Sequence, residues 1–189
     1  MKYNPGVHHR RSIRLKNYDY SRPGFYFVTI CTKNRECLFG EIENGEIKLT
    51  QFGEIARNTW EWLEKQYYYV VLDTFVIMPN HLHGVLIIDD HRRRDGSRTI
   101  PTTRTIPTTR TIPTTMTIPT MNNPEKRKPL GRLIGAFKTV STKYINLLRN
   151  TPTQQIWQHN YYEHIIRNNQ SLKRIRNYIV NNPMNWKFK

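Results

Sequence analysis

Residues 99–122 read TIPTTR, TIPTTR, TIPTTM, TIPTMN, a tandem hexapeptide with a proline in every repeat. A six-residue period of threonine, isoleucine and proline offers no continuous apolar face. Its prolines also remove backbone donors at regular intervals, so it supports neither a buried helix nor a sheet ladder. The stretch is expected to be extended and polyproline-like. Whatever core the 189-residue chain builds must come from the segments on either side. We read residues 1–189 as one domain, with 91–128 inserted between two of its elements. The insertion is either a loop expansion without chemistry of its own or a basic segment that trails along a polyanion.

The charge is distributed as unevenly as the repeat. The net charge is +16, yet residues 1–90 hold 11 basic against 11 acidic residues. The insertion holds 9 against 2, and residues 129–189 hold 10 against 1. An excess confined to the second half suits a polyphosphate partner, because each neutralised phosphate releases condensed counterions. Cys31 and Cys37 are too few for a disulfide framework and fit no common zinc or redox spacing, so we expect reduced thiols in a cytoplasmic protein. The N-terminal stretch has no apolar signal segment, and the longest apolar runs, Phe75 to Met78 and Val85 to Ile88, are strand-sized.

Outside the insertion, strand and helix signals alternate. Phe25 to Thr32 (FYFVTICT) is aromatic and β-branched, a strand pattern. Cys37 to Ile42 and Glu46 to Thr50 flank Asn44-Gly45, a strong hairpin signal. Phe52 to Lys65 reads as a helix with Ile55, Trp62 and Leu63 turned inward. Val70 to Met78 and His81 to Ile88 read as adjacent strands, with Pro79-Asn80 between them. Leu130 to Leu148 is amphipathic. Leu130, Leu133, Ile134, Phe137, Val140, Tyr144, Ile145 and Leu148 share a face, and Arg132, Lys138, Lys143 and Arg149 lie opposite. Tyr161 to Ile166 is a short strand, and a last helix opens at Ser171 as N-cap and closes at Pro183. These elements predict an α+β fold of the ferredoxin-like kind, an antiparallel sheet with helices packed on one face.

Two constellations bear on chemistry. His81-Leu82-His83 begins a strand, so both imidazoles project from one side and Leu82 from the other. Two neutral imidazoles on one face begin a divalent metal site, with zinc, manganese and magnesium all open at this point. In the last helix Leu172, Ile175 and Ile179 form an apolar stripe, and Tyr178 and Asn182 lie within about 40° of each other at its edge. Arg174 sits one turn before Tyr178 on that side, next to a hydroxyl and an amide.

The motifs MPNHLHG (Met78 to Gly84), WQHNYYEHIIRN (Trp157 onward) and YIVNNP (Tyr178 to Pro183) occur in this order. Together with RRSIRLKNYDYSRPGFYFVTICTKNRECLFGEI near the N-terminal side, they resemble the REP-associated tyrosine transposases, relatives of the IS200-like single-tyrosine transposases. The resemblance covers nearly everything except 91–128 and implies an HUH endonuclease. In such an enzyme His81 and His83 bind Mg²⁺ or Mn²⁺, Asn182 completes the metal site, and Tyr178 is the nucleophile. Asn182 stands where relatives often carry glutamine, which shortens its reach. The implied substrate is single-stranded or hairpin DNA at REP-like palindromes, cleaved and rejoined through a 5′-phosphotyrosine by a monomer or homodimer.

Arg10, Arg11, Arg14 and Lys16 form a basic arm, and with Arg174 they are the expected DNA-contacting cations. His159 and His164 rank below them: His164 could approach the site, with a hydrogen-bonded structural histidine as the alternative reading. The alternative function is a protein of the same fold that recognises DNA hairpins with little or no transposition activity. An RNA-binding sheet of similar topology is a third reading, but it leaves the histidine and tyrosine motifs without a use.

Overall fold

The structure is a computed structural model that describes residues 14–89 and 127–186. The hexapeptide repeat lies outside the described residues, as do Arg10 and Arg11. Strand β1 (Gly24–Cys31) sends Tyr26, Val28 and Ile30 to one face of the sheet and Phe25 and Phe27 to the other. A hairpin of β2 (Gly40–Glu43) and β3 (Glu46–Leu49) turns at Asn44 (φ 52) and Gly45 (φ 79). Both turn residues are left-handed, as a tight hairpin requires. The hairpin forms its own two-stranded sheet. Helix α1 (Gln51–Gln66) starts at Thr50, whose side chain accepts a hydrogen bond from the Gly53 backbone N–H. Strands β4 (Val70–Met78) and β5 (His81–Ile88) meet at Pro79-Asn80. Then follow α2 (Leu130–Arg149), β6 (Tyr162–Ile166) and α3 (Asn169–Asn181).

The main sheet has the order β4-β5-β1-β6, and every neighbouring pair is antiparallel. With α1 between β1 and β4, and α2 between β5 and β6, the path is βαββαβ, the expected ferredoxin-like arrangement. Helices α1 and α2 share one face. There Trp60, Leu63, Leu133 and Phe137 pack with Tyr26, Val28, Ile30, Leu82 and Leu86. Gly84 makes room for this layer, since a Cβ on it would lie 2.8 Å from Trp60 Cζ2 and 3.2 Å from Phe75 Cβ. The third helix covers the opposite face, where Leu172, Ile175 and Ile179 meet Phe27, Val85 and Ile166. The helix layer is therefore doubled: two helices on one side, as expected, and α3 on the other.

Several local expectations change. In α1 the fully buried tryptophan is Trp60, while Trp62 and Ile55 only lean on the core. The buried stripe runs through Gly53, Ala56 and Thr59, residues too small or polar to announce an apolar face. Helix α3 starts earlier than Ser171, because Asn168 is the N-cap and its Oδ1 accepts from the Ser171 backbone N–H at 2.8 Å. In α2, Leu148 is largely exposed, while Ser141 and Asn146 are buried. Ser141 Oγ accepts from Trp157 Nε1 at 2.9 Å and donates to the Phe137 carbonyl at 2.7 Å. Lys138 leaves the solvated side expected for it. Its ammonium donates to the carbonyls of Gln158, His159 and Asn160 at 2.8, 3.2 and 3.1 Å, holding the approach to β6.

Candidate active site

Alternation along β5 sends Leu82, Gly84 and Leu86 to the α1/α2 side and His81 and His83 to the α3 side. Both histidines are buried, and their Nε2 atoms face each other at 3.0 Å. Each ring is fixed from behind. His81 Nδ1 lies 2.7 Å from Asn80 Oδ1, and His83 Nδ1 lies 2.8 Å from Thr29 Oγ1. An amide oxygen only accepts, so His81 carries its proton on Nδ1 and presents a bare lone pair at Nε2. Asn80 is itself oriented, because its Nδ2 donates to the Arg35 carbonyl at 3.2 Å. Burial, aided by the nearby Arg35 charge, pushes the His81 pKa down to about 4. Burial and then His81 push that of His83 down to about 3. Both imidazoles are therefore neutral at physiological pH, the state in which they act as ligands.

Tyr178 comes to this pair from α3. Its hydroxyl is 3.1 Å from His83 Nε2, and its ring stands edge-on to Phe27 with centroids 6.2 Å apart. The side chain remains half exposed. Asn182 is the C-cap of α3, one turn after Tyr178 and half-buried. Among the described residues its amide makes no hydrogen bond to either imidazole. The turn beyond α3 supplies Trp186, whose ring packs on His81 at 5.5 Å between centroids. Among the described residues no group of three or more His, Cys, Asp or Glu converges. Two buried neutral imidazoles, locked from behind and facing across 3.0 Å, are a donor pair that would fit a divalent cation.

The expected DNA-contacting cations divide. Arg14 is engaged by the protein. It donates to the Tyr161 hydroxyl at 3.1 Å, lies over that ring, and stands 3.6 Å from the carboxylate of buried Glu163. Lys16 is exposed. Arg174 is exposed and lines an open cavity of about 390 Å³ with Arg167, His164 and Ser171 at the start of α3. His164 projects from β6 on the α3 side, in register with Phe27, and is exposed. Thr29, Asn80 and Trp186 were not foreseen. Asn80 alone carried a signal, as the polar residue directly before the histidine pair.

No family model matches the chain. An uncharacterized protein of Haemophilus influenzae is 41% identical to it over 187 residues, which is 98% of this chain and 94% of that protein. Among solved structures, a REP-associated tyrosine transposase bound to a REP hairpin superposes with a TM-score of 0.56 at 16% identity, covering 93% of this chain and 74% of the other. Identity at that level speaks for the fold. The chain thus belongs to one family with the Haemophilus influenzae protein, and its fold is that of the IS200-like, REP-associated tyrosine transposases.

Proposed function

We propose that this chain is a metal-dependent transposase that cleaves and rejoins single-stranded DNA at hairpin, REP-like sequences, with Tyr178 as its nucleophile. The observation that carries the reading is the placement of the Tyr178 hydroxyl 3.1 Å from His83 Nε2, at the point where the two imidazoles converge. An unassisted tyrosine, with a pKa of about 10, is a poor nucleophile at neutral pH. His81 and His83, with Asn182 as the proposed third ligand, would hold a divalent cation, Mg²⁺ or Mn²⁺, which would supply Lewis-acid polarisation of the scissile phosphate and favour the tyrosinate. The Tyr178 oxygen forms a bond to phosphorus while the bond from phosphorus to the 3′ oxygen breaks, leaving a 5′-phosphotyrosine and a free 3′-hydroxyl. The covalent link conserves the phosphodiester, so reversal by a new 3′-hydroxyl rejoins a strand without a nucleotide cofactor. Binding draws on the basic second half of the chain, with Arg174 and Arg167 exposed for phosphates, and on exposed Lys16 of the N-terminal arm.

Incubation of the protein with single-stranded hairpins from palindromic repeats and Mg²⁺ or Mn²⁺ tests this directly. A covalent DNA–protein band is expected, with the nucleotide on Tyr178 by peptide mapping. Tyr178→Phe removes only a half-exposed hydroxyl, so it abolishes the band and leaves melting and hairpin affinity nearly unchanged. Tyr162→Phe, at an exposed position of β6, retains activity. An adduct on Tyr144, Tyr161 or Tyr162 refutes the assignment. Tight hairpin binding without any adduct leaves the binding-protein reading in its place.

A further inference from the structure

Helix α3 carries the nucleophile but is lightly held. Of its 13 residues only Leu172 and Ile179 are buried, and with Ile175 they form its apolar seam. Apolar contact is non-directional, so a narrow seam leaves a helix free to roll about its own axis. Arg176 and Tyr178 are two residues apart, about 160° around the helix, and so leave the seam on opposite flanks. Tyr178 reaches toward His83 of β5 and Phe27 of β1. Arg176 reaches the other way, to Asp73 on the edge strand β4. Its Nε donates to both carboxylate oxygens at 3.1 and 3.0 Å, and Nη2 donates to Oδ2 as well. Such a fork fixes direction as well as distance.

The strand is shaped for this contact. The register of β4 against β5 slips between Leu72 and Phe75, which places Asp73 in an irregularity. There its Oδ1 also accepts from the Thr74 backbone N–H and hydroxyl at 2.6 and 3.0 Å. Burial pushes the Asp73 carboxyl up, but Arg176 and Thr74 outweigh it and hold the group below the usual carboxylate range, hence charged. Among the described residues no other ion pair joins α3 to the sheet.

We propose that Asp73 and Arg176 are positioning residues for the nucleophile: their ion pair sets the roll of α3 and thereby keeps the Tyr178 hydroxyl on the histidine pair. The proposal rests on Tyr178 acting as the nucleophile. At a helix periphery of about 6 Å, a roll of about 10° carries a side-chain tip through about 1 Å. Displacement of that order costs about 10²-fold in a reaction that depends on alignment. The pair is partly exposed, so its effect on overall stability is small.

The test uses the full chain with a single-stranded hairpin oligonucleotide and Mn²⁺, and compares Asp73→Asn, Arg176→Gln and the charge swap of both. Asp73→Asn keeps an acceptor for Thr74, so the irregularity in β4 survives. Two quantities are read: amide hydrogen exchange in α3, which needs no chemistry, and the rate of adduct formation at saturating DNA. Exchange in α3 rises in both single variants while α1 and α2 stay protected. The saturating rate falls at least tenfold with an unchanged half-saturating DNA concentration, and the swap recovers most of both losses. Unchanged α3 exchange in the single variants overturns the proposal, whether or not the rate falls. If exchange rises as expected but the wild-type chain forms no tyrosine adduct, the tether stands and the nucleophile reading is what fails.

Discussion

The two faces of the sheet are made of the same strands and do different work. Among the described residues, the α1/α2 face buries twenty apolar residues in one cluster that includes Trp60, Phe137 and Trp157. The α3 face buries five, and it shares that space with His81, His83 and a half-exposed tyrosine. In β5 the division falls between neighbours: Leu82 and Leu86 serve the first face, His81 and His83 the second. A sheet allows this because successive side chains leave it on opposite sides. The large face supplies most of the apolar burial, so the small face tolerates buried polar groups and a loosely packed helix. Chemistry is therefore expected where the packing is thinnest.

The strongest way to break this comparison is to damage the large face. Trp60 is fully buried and stands perpendicular to Phe137, with ring centroids 5.3 Å apart. Trp60→Ala should remove about 3–5 kcal/mol of stability, a large share of what a domain this size has. Urea unfolding measures it. Adduct formation per folded molecule should stay near wild type, because the ring does not face the histidines. A loss below about 1 kcal/mol would mean that α1 is not the structural layer proposed.

The reciprocal experiment is His83→Ala. The ring packs on Phe27 and bonds Thr29, so its removal costs about 1–2 kcal/mol. Metal-dependent cleavage should fall by about 10² or more, because the site loses one of its two imidazoles. Hairpin affinity, which rests on the basic surface, should change by less than about threefold. His81→Ala should behave in the same way. Gel-shift titration beside the cleavage assay separates the two quantities, and full-rate cleavage by either variant removes the metal assignment.

How much of this was legible follows from what each signal encodes. Turn chemistry and period-two alternation are local, and they located the strands, the Asn44-Gly45 hairpin and the shared face of His81 and His83. Helical periodicity found the seam of α3 and the alignment of Tyr178 with Asn182, but a period says nothing about which side of a sheet a helix will cover. The α1 stripe was read only in part: Leu63 is buried as expected, but Trp60 rather than Trp62 is the fully buried tryptophan, and Gly53, Ala56 and Thr59 are too small or polar to mark the rest of the face. Long-range partners left no local trace. Arg14 meets Glu163 and Arg176 meets Asp73 across most of the chain, so one looked like a free DNA contact and the other drew no notice. Lys138 lies on the polar side of α2 by periodicity, yet its long stem reaches a row of carbonyls.

A smaller effect is expected at Asn182. It sits at the C-cap, where its backbone N–H bonds the Ile179 carbonyl whatever the side chain. Asn182→Ala should therefore keep α3 intact. If Asn182 is a metal ligand as proposed, water can replace it, so cleavage should drop by less than about tenfold, with a rise in the Mn²⁺ concentration needed for half-maximal rate. A loss as large as that of His83→Ala would make the amide an indispensable ligand, despite its lack of a hydrogen bond to either ring.

The smallest effect should come from deleting Ser97 to Asn122, which lies outside the described residues. The repeat has no apolar face to contribute. The chain on either side of it already pairs within one sheet, since β6 hydrogen-bonds to β1. Lengthening or shortening a connecting loop changes closure entropy only logarithmically, by about 0.6 kcal/mol for each doubling. The shortened protein should melt within a few degrees of the full chain and cleave at a similar saturating rate. Three arginines leave with the segment, Arg98, Arg104 and Arg110. If the insertion trails along DNA, binding should weaken and its salt dependence should flatten by up to about three phosphate contacts, with the cleavage rate at saturation preserved. Equal salt slopes would make the repeat a loop expansion without a DNA role. A collapsed melting transition would show that the two halves need it to fold together.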